Sequence, residues 1–353
     1  MIISVIGARP QFVKAAVVSR AFRNAGIDEQ VVHTGQHYDD SMSGTFIRDL
    51  GIDNIVAQFS CGAGTHAVQT AKMMMEFESY ILNQSKSPKL VVVYGDTNST
   101  IAASLVASKL HIPIAHVEAG LRSFNREMPE EINRIVTDHL SEMHFCSSEE
   151  GVQQLHKEGI HKKVNNVGDV MLDAFLHFSE LARTRTVPNS LTSLRISEFG
   201  LVTIHRPSNT DDDCVMSAIL AQLSTVNLPF MWPVHPRLRE RIRRLEIPEN
   251  IHLVEPFPYL DMLKILDLCQ IVLTDSGGLQ KEAHWAKKQC ITFRKQTEWI
   301  ETLFGGWNTL FDPQKQSLID IISSQPSTPW ECIYGDGKAS ERIATSICDW
   351  LQK

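Results

Sequence analysis

Short runs of β-branched and apolar residues alternate along the chain with stretches whose apolar positions recur at helical spacing. In the first half IISVI (2–6), EQVVHT (29–34), LVVVY (90–94), IPIAHV (112–117) and MHFCS (143–147) are predicted strands. AAVVSRAFRNA, TAKMMMEFESYIL and STIAASLVASKL lie between them and read as helices, with the Met73-Met74-Met75 run taken as helix core. The second half repeats the pattern with LVTIH (201–205), FMWPVH (230–235), IHLVE (251–255), IVLTD (271–275) and CITFR (290–294). Apolar strands separated by helices predict parallel sheets covered by helices, hence an α/β fold. The pattern loosens over 166–198, through TRTVPNSLTS, so a first Rossmann-like domain is placed at 1–170, a linker region at 171–198, and a second Rossmann-like domain from 199. Ligands of open sheets bind outside the carboxyl ends of the strands, which puts the expected site in a cleft between the two domains.

Composition narrows the field. A chain of 353 residues is about twice what one core serves. Its 34 basic and 41 acidic residues give a net charge of -7, which makes nucleic acid an improbable partner. No apolar stretch reaches membrane-span length, and MIISVIGARP reads as a strand entering a turn, so neither a membrane nor a signal peptide is expected. The seven cysteines are scattered, never spaced C-x-x-C, and suit reduced thiols in the cytoplasm better than a metal site or disulfides.

The unusual residues come directly after strands. Gly7-Ala8-Arg9-Pro10, with Lys14, offers a tight turn, a helix N-terminus and two cations, an expected anion site or else a plain strand-to-helix turn. Asp96 in Gly95-Asp96-Thr97-Asn98 either caps the next helix or faces the ligand. Glu118 ends a buried strand, an expensive place for a carboxylate without partners or a task. Glu130 opens a helix four residues before Arg134, which a helical ion pair alone could explain. Together Asp96, Glu118 and Glu130 are an expected acid/base set, since crowded carboxylates divide into an acid and a base. His205-Arg206 reads as a phosphate ligand or proton donor. Ser276-Gly277-Gly278, with Glu282 further along the helix, reads as a nucleotide diphosphate site with a carboxylate for the ribose. His33 and His37 are discounted as a metal pair because the turn between them breaks any helix.

These motifs, with T-G-Q-H (34–37), H-V-E-A-G-L-R-S, P-E-E-I-N-R and P-V-H-P (233–236), resemble the non-hydrolysing UDP-N-acetylglucosamine 2-epimerase family, in order from residue 2 to about 312. The resemblance implies a two-domain glycosyltransferase-B type fold, with the second domain at 199–336 and a last helix at 337–353 returning to the first domain. It implies a homodimer, no cofactor and no metal. Asp96, Glu118 and Glu130 become the acid/base carboxylates, and His205 assists at the diphosphate. Arg9, Ser276, Gly277 and Gly278 hold the phosphates, and Lys14 supports the charged site. Glu282 takes the ribose and Phe257, in Pro256-Phe257-Pro258-Tyr259, lies in the uracil stretch. Arg134 and Arg206 complete the substrate-binding set. The implied substrate is a UDP-activated 2-acetamido sugar, epimerised at C2 for surface polysaccharide synthesis.

One departure concerns the sugar. The family pattern R-D-T-T-E-R-P-E is here Arg294-Lys295-Gln296-Thr297-Glu298-Trp299-Ile300-Glu301, with Trp299 in place of the second arginine. That variant is similar to the branch acting on UDP-2,3-diacetamido-2,3-dideoxyglucuronate. A second departure concerns control. Of the activating site of several bacterial members, Gln36 and His235 match, but Asp39 replaces a glutamine and 57–66 contains no arginine, so no activation by UDP-N-acetylglucosamine is expected. A hydrolysing 2-epimerase, a glycosyltransferase on the same scaffold and an inactive nucleotide-sugar sensor are the competing readings.

Overall fold

The computed structural model describes residues 1–36, 46–194, 196–235 and 238–352, so His37, Asp39 and Pro236 lie outside the described residues. The chain divides into two compact units, one of Met1–Leu176 with Tyr334–Lys353 and one of His177–Ile333.

The first unit is built on a seven-stranded parallel sheet. Its strands are β1 (Ile2–Ile6), β2 (Glu29–His33), β3 (Ile55–Gln58), β4 (Val91–Tyr94), β5 (Ile114–Ala119), β6 (Met143–Cys146) and β7 (Val164–Asn166), in the order β3-β2-β1-β4-β5-β6-β7. The second unit has a six-stranded parallel sheet. It contains β8 (Gly200–Thr203), β9 (Phe230–Pro233), β10 (Ile251–Val254), β11 (Ile271–Thr274), β12 (Gln289–Thr292) and β13 (Asn308–Leu310), in the order β10-β9-β8-β11-β12-β13. Each sheet is doubly wound. Its order reverses between its first and fourth strands, β1 and β4 or β8 and β11, and that reversal opens a crevice at the strands' carboxyl ends.

Burial explains which strands were predictable. β1, β4, β6, β8 and β11 are buried at every position, as strands covered on both faces must be. The three unpredicted strands, β3, β7 and β13, all sit at sheet edges; β3 and β7 have exposed positions and β13 is three residues long, so none shows a continuous apolar run. The segment read as a linker carries two helices, Val170–Thr184 and Asn189–Leu194. Of the methionine run only Met73 and Met74 join the core, and Met75 is 70% exposed. The last helix, Ala339–Leu351, packs in the first unit against the helix Arg9–Asn24. Its start is fixed by Asp173, which accepts from Ala339 N at 3.1 Å and Ser340 N at 2.7 Å. Among the described residues no helix is long and apolar enough to cross a membrane.

Packing is close where β1 turns into its helix. A Cβ on Gly7 would collide with the hydroxyls of Ser99 and Thr34, which hydrogen-bond each other at 2.7 Å. Gly7→Ala is therefore expected to lower stability by about 1–3 kcal/mol, the usual cost of overpacking. A thermal-unfolding midpoint equal to that of the wild type would contradict this.

Candidate active site

In the first unit the residues after β1 and β4 meet at the sheet reversal, and Gln11 ties them together. Its Oε1 accepts from Gly7 N at 2.8 Å and Ala8 N at 3.0 Å, and its Nε2 donates to Tyr94 O at 2.8 Å. The Gly7 and Ala8 amides, expected to be open to an anion, are thus already occupied. This corrects the reading of that turn: its outward face carries Arg9, exposed and stacked 4.9 Å over the Phe46 ring.

Glu118 is not the end of an ordinary strand. It is the extra residue of a bulge in β5, whose register against β6 shifts between Val117 and Ala119, and its φ is 72°. A bulge re-aims a side chain, and a left-handed glutamate is a strained one. Its carboxylate makes a charged hydrogen bond with Lys14, and both side chains are about nine-tenths buried, at 9% and 11% exposure. Burial acts to lower the Lys14 ammonium, but the charge and hydrogen bond of Glu118, with Asp96 and Asp169 adding, hold it above its ordinary value. Gly95, at φ 61°, leaves room for the pair: a Cβ there would stand 3.1 Å from Glu118 Oε2 and 3.5 Å from Lys14 Nζ.

Asp96 comes just after β4 and does not cap the next helix, because Thr97 does so by accepting from Thr100 N. Asp96 is left to the crevice and forms an ion pair with Arg134. The expected Glu130–Arg134 pair is absent. Arg134 turns to Asp96 and, at 3.1 Å, to Glu131, while the Glu130 side chain makes no hydrogen bond among the described residues. Glu131, overlooked in the sequence, is buried and braces the preceding loop. It accepts from Ser123 N at 2.8 Å and Phe124 N at 2.9 Å, contacts that outweigh burial and hold its carboxyl below the usual range. The carboxylates are therefore not crowded against one another as expected. Glu118 and Asp96 each face a cation, and Lys14 feels both.

The second unit gathers its motifs at the reversal between β8 and β11. Asp275, fully buried, accepts from His205 N at 3.0 Å, Arg206 N at 2.8 Å and Asn209 Nδ2 at 2.9 Å. Its carboxylate fixes the turn that presents His205, whose Nδ1 is 3.4 Å away. Ser276 heads the helix Gly277–Trp285 without a side-chain capping bond, and a Cβ on Gly278 would meet nothing within 4 Å. The Ser276 amide is taken by Thr274 Oγ1 at 2.9 Å, so the helix dipole and the neighbouring guanidiniums of Arg206 and Arg294 are what favour an anion here. Arg206 is lowered by burial and then by the neighbouring charge of Arg294. Glu298 leans over the helix start, bonded to Arg294 at 2.7 Å, and its Oε1 lies 2.7 Å from where a Gly277 Cβ would stand. Trp299, beside it, is stacked by the Lys281 ammonium at 3.9 Å. Phe257 is half-buried in the loop before the helix Tyr259–Leu268. Tyr259 donates its hydroxyl to Glu282 at 3.2 Å, and burial pushes the Glu282 carboxyl up to about 7. Gln11, Asp275 and Arg294 were not singled out in the sequence. Asp275 carries the same signal as Asp96 and Glu118, an acid directly after an apolar strand, and Gln11 stands where a capping box would place it.

A family model described as UDP-N-acetylglucosamine 2-epimerase matches residues 20–348. The chain belongs to the UDP-N-acetylglucosamine 2-epimerase family. Among its relatives, a UDP-2,3-diacetamido-2,3-dideoxy-D-glucuronate 2-epimerase of Pseudomonas aeruginosa is 44% identical over 97% of this chain and 98% of its own length. The crystal structure of the Methanocaldococcus jannaschii UDP-GlcNAc 2-epimerase in complex with UDP-GlcNAc and UDP is 36% identical, with a TM-score of 0.86, covering 98% of this chain and 99% of that one. The Neisseria meningitidis UDP-GlcNAc 2-epimerase bound to UDP-GlcNAc is 28% identical, with a TM-score of 0.81 over 100% of both chains. Two parallel, doubly wound sheets of the glycosyltransferase-B type are thus the epimerase-family fold.

Glu282 gives this family member a pH signature. Its folded value of about 7 lies above the ordinary glutamate value of 4.5, so between those limits the folded chain keeps a proton that the unfolded chain has lost. Stability from this residue is therefore intact below 4.5 and falls as pH rises towards 7, by roughly 3 kcal/mol at about 1.4 per pH unit. Glu282→Gln keeps an acceptor for Tyr259 and is expected to be more stable than wild type at pH 8 but not at pH 4. Equal midpoints at both values would contradict that.

Proposed function

We propose that the protein inverts C2 of a UDP-2-acetamido sugar without net hydrolysis. The observation that supports it most is the pairing of Glu118 with Lys14 and of Asp96 with Arg134 at one sheet reversal, in a chain of the epimerase family. C2 of such a sugar is not adjacent to a carbonyl carbon, so its hydrogen is only weakly acidic. Elimination removes that difficulty. A carboxylate takes the C2 proton, the C–H electrons form a C1–C2 double bond, and the C1–O bond breaks with its electrons leaving on UDP. The resulting 2-acetamidoglycal is protonated at C2 from the opposite face, and UDP adds back to C1. A base on one face and an acid on the other are needed, which Asp96, Glu118 and Glu130 supply in this reading. The leaving diphosphate gains charge and needs a preorganised cationic clamp. His205, Arg206, Ser276, Gly277 and Gly278 provide it, joined by Arg9, while Glu282 takes the ribose and Phe257 borders the uracil. Binding the diphosphate displaces Glu298 from the helix start.

Trp299 and the 44% identical relative favour the 2,3-diacetamido uronate as the sugar. We infer a cytoplasmic homodimer feeding surface polysaccharide synthesis, and its free cysteines suit a reducing compartment.

Proton NMR of early products, with UDP-N-acetylglucosamine and the diacetamido uronate assayed side by side, tests the reading. The C2 epimer still joined to UDP is expected, faster from the uronate. Free sugar with stoichiometric UDP would identify a hydrolase instead. Asp96→Asn, Glu118→Gln and Glu130→Gln are each expected to lower turnover by about two decades, a usual acid–base contribution. Unchanged turnover in all three would refute the assignment. Hyperbolic kinetics, unaltered by added UDP-N-acetylglucosamine when the uronate is the substrate, are also expected.

A further inference from the structure

Glu118 holds its place at a cost. A left-handed glutamate is worth about 1–3 kcal/mol of strain, which the surroundings must impose. Two glycine turns flank it. On one side Gly95 N donates to Val117 O at 2.9 Å, and the Gly95 carbonyl accepts from His116 Nε2 at 2.7 Å. On the other side Gly120, at φ 82°, donates its N–H to Asp138 Oδ2 at 3.2 Å, and a Cβ there would overlap the Gly151 carbonyl oxygen. The two turns are joined, because His116 Nδ1 lies 2.6 Å from Asp138 Oδ1. The two His116 ring nitrogens thus face two oxygens, Asp138 Oδ1 and the Gly95 carbonyl. Arg122 closes the cluster with a 2.7 Å bond to Asp138 Oδ2 and a two-pronged contact to Glu158 at 2.8 and 2.6 Å. The Asp138 and His116 side chains are entirely buried. His116 and Arg122 outweigh the burial of Asp138 and keep its carboxyl below the usual range. Asp138 lies seven residues after Glu131 and four after Arg134 on the helix Pro129–Leu140, whose Asn133 also donates to Asp96 O at 2.9 Å. One helix therefore braces the loop before it, the Asp96 turn and the Glu118 bulge.

We propose that Asp138 is a positioning residue for Glu118, acting through His116 and Gly120 to hold the bulge so that the carboxylate meets both Lys14 and the C2 hydrogen. The inference rests on the epimerase reading. A buried charge cluster that served stability alone would govern how much protein folds. A positioning cluster also governs how well each folded molecule moves the proton.

The test uses the full chain, Asp138→Asn and His116→Gln, and C2-deuterated UDP-sugar beside the protiated one. Turnover is counted per UDP-binding molecule, which removes the contribution of misfolded protein. Both variants are expected to lose about ten- to a hundredfold in kcat, the scale of an ångström-sized misplacement. KM should stay within about twofold, with the C2 deuterium effect fully expressed. Glu158→Gln, which weakens the outer partner of Arg122 and leaves Asp138, His116 and Gly120 in place, is expected to keep the wild-type kcat and isotope effect. If Asp138→Asn fails to fold, His116→Gln decides alone, since it cuts the link to Gly95 and leaves Asp138 on Arg122 and Gly120. Unchanged kcat per binding molecule, or a loss with an isotope effect smaller than in the wild type, overturns the proposal. A wild type that does not epimerise refutes the underlying reading instead.

Discussion

A carboxylate and an ammonium buried side by side at the end of a parallel sheet are the constraint around which the first unit is arranged. Neither charge would be tolerated there alone, since a lone buried ion costs several kcal/mol and breaking a buried pair is strongly destabilising. Lys14 comes from the helix after β1 and Glu118 from a bulge in β5, so the pair spans the reversal of the sheet. Glycine at 95 leaves the space, and a bulged, left-handed backbone at 118 supplies the direction. The pair is also chemically useful. A carboxylate aimed by the backbone and fixed beside a cation needs little reorganisation to exchange a proton in the proposed reaction.

The second unit solves a different problem with the same topology. Its sheet reverses at the corresponding place, and its buried carboxylate, Asp275, accepts backbone hydrogen bonds where Glu118 meets a cation. That difference separates the tasks. Asp275 has its oxygens engaged and shapes a turn, whereas the start of the helix Gly277–Trp285, with the guanidiniums of Arg206 and Arg294 near it, is the proposed place of an anion. Under the proposed function, one fold serves proton transfer in one unit and diphosphate recognition in the other, with the strand-end residues deciding which.

Much of the architecture was legible because buried parallel strands announce themselves as apolar runs, and chemistry concentrates in the residues at their carboxyl ends. Asp96, Glu118, His205 and Ser276 were singled out in this way. The features that escaped did so for physical reasons. Edge strands such as β3 and β7 are partly exposed and carry no continuous run. The partner of Arg134 depends on how the helix Pro129–Leu140 is rotated against β4, so spacing suggested Glu130 where packing selects Asp96 and Glu131. The left-handed backbone of Glu118 has no sequence marker, because a glutamate there gives no sign of the glycine-like conformation it adopts. The bracing by Asp138 links residues 22 apart with His116, a contact that only the folded sheet creates.

The claim that ties the chain's geometry to its chemistry is that a carboxylate removes the hydrogen on C2 and that a proton is returned there. The most direct measurement is the reaction in deuterium oxide, monitored by NMR at low conversion. The account predicts one deuterium at C2 of the UDP-linked product and none at any other carbon. A product epimerised at C2 that still carries only protium there would contradict it.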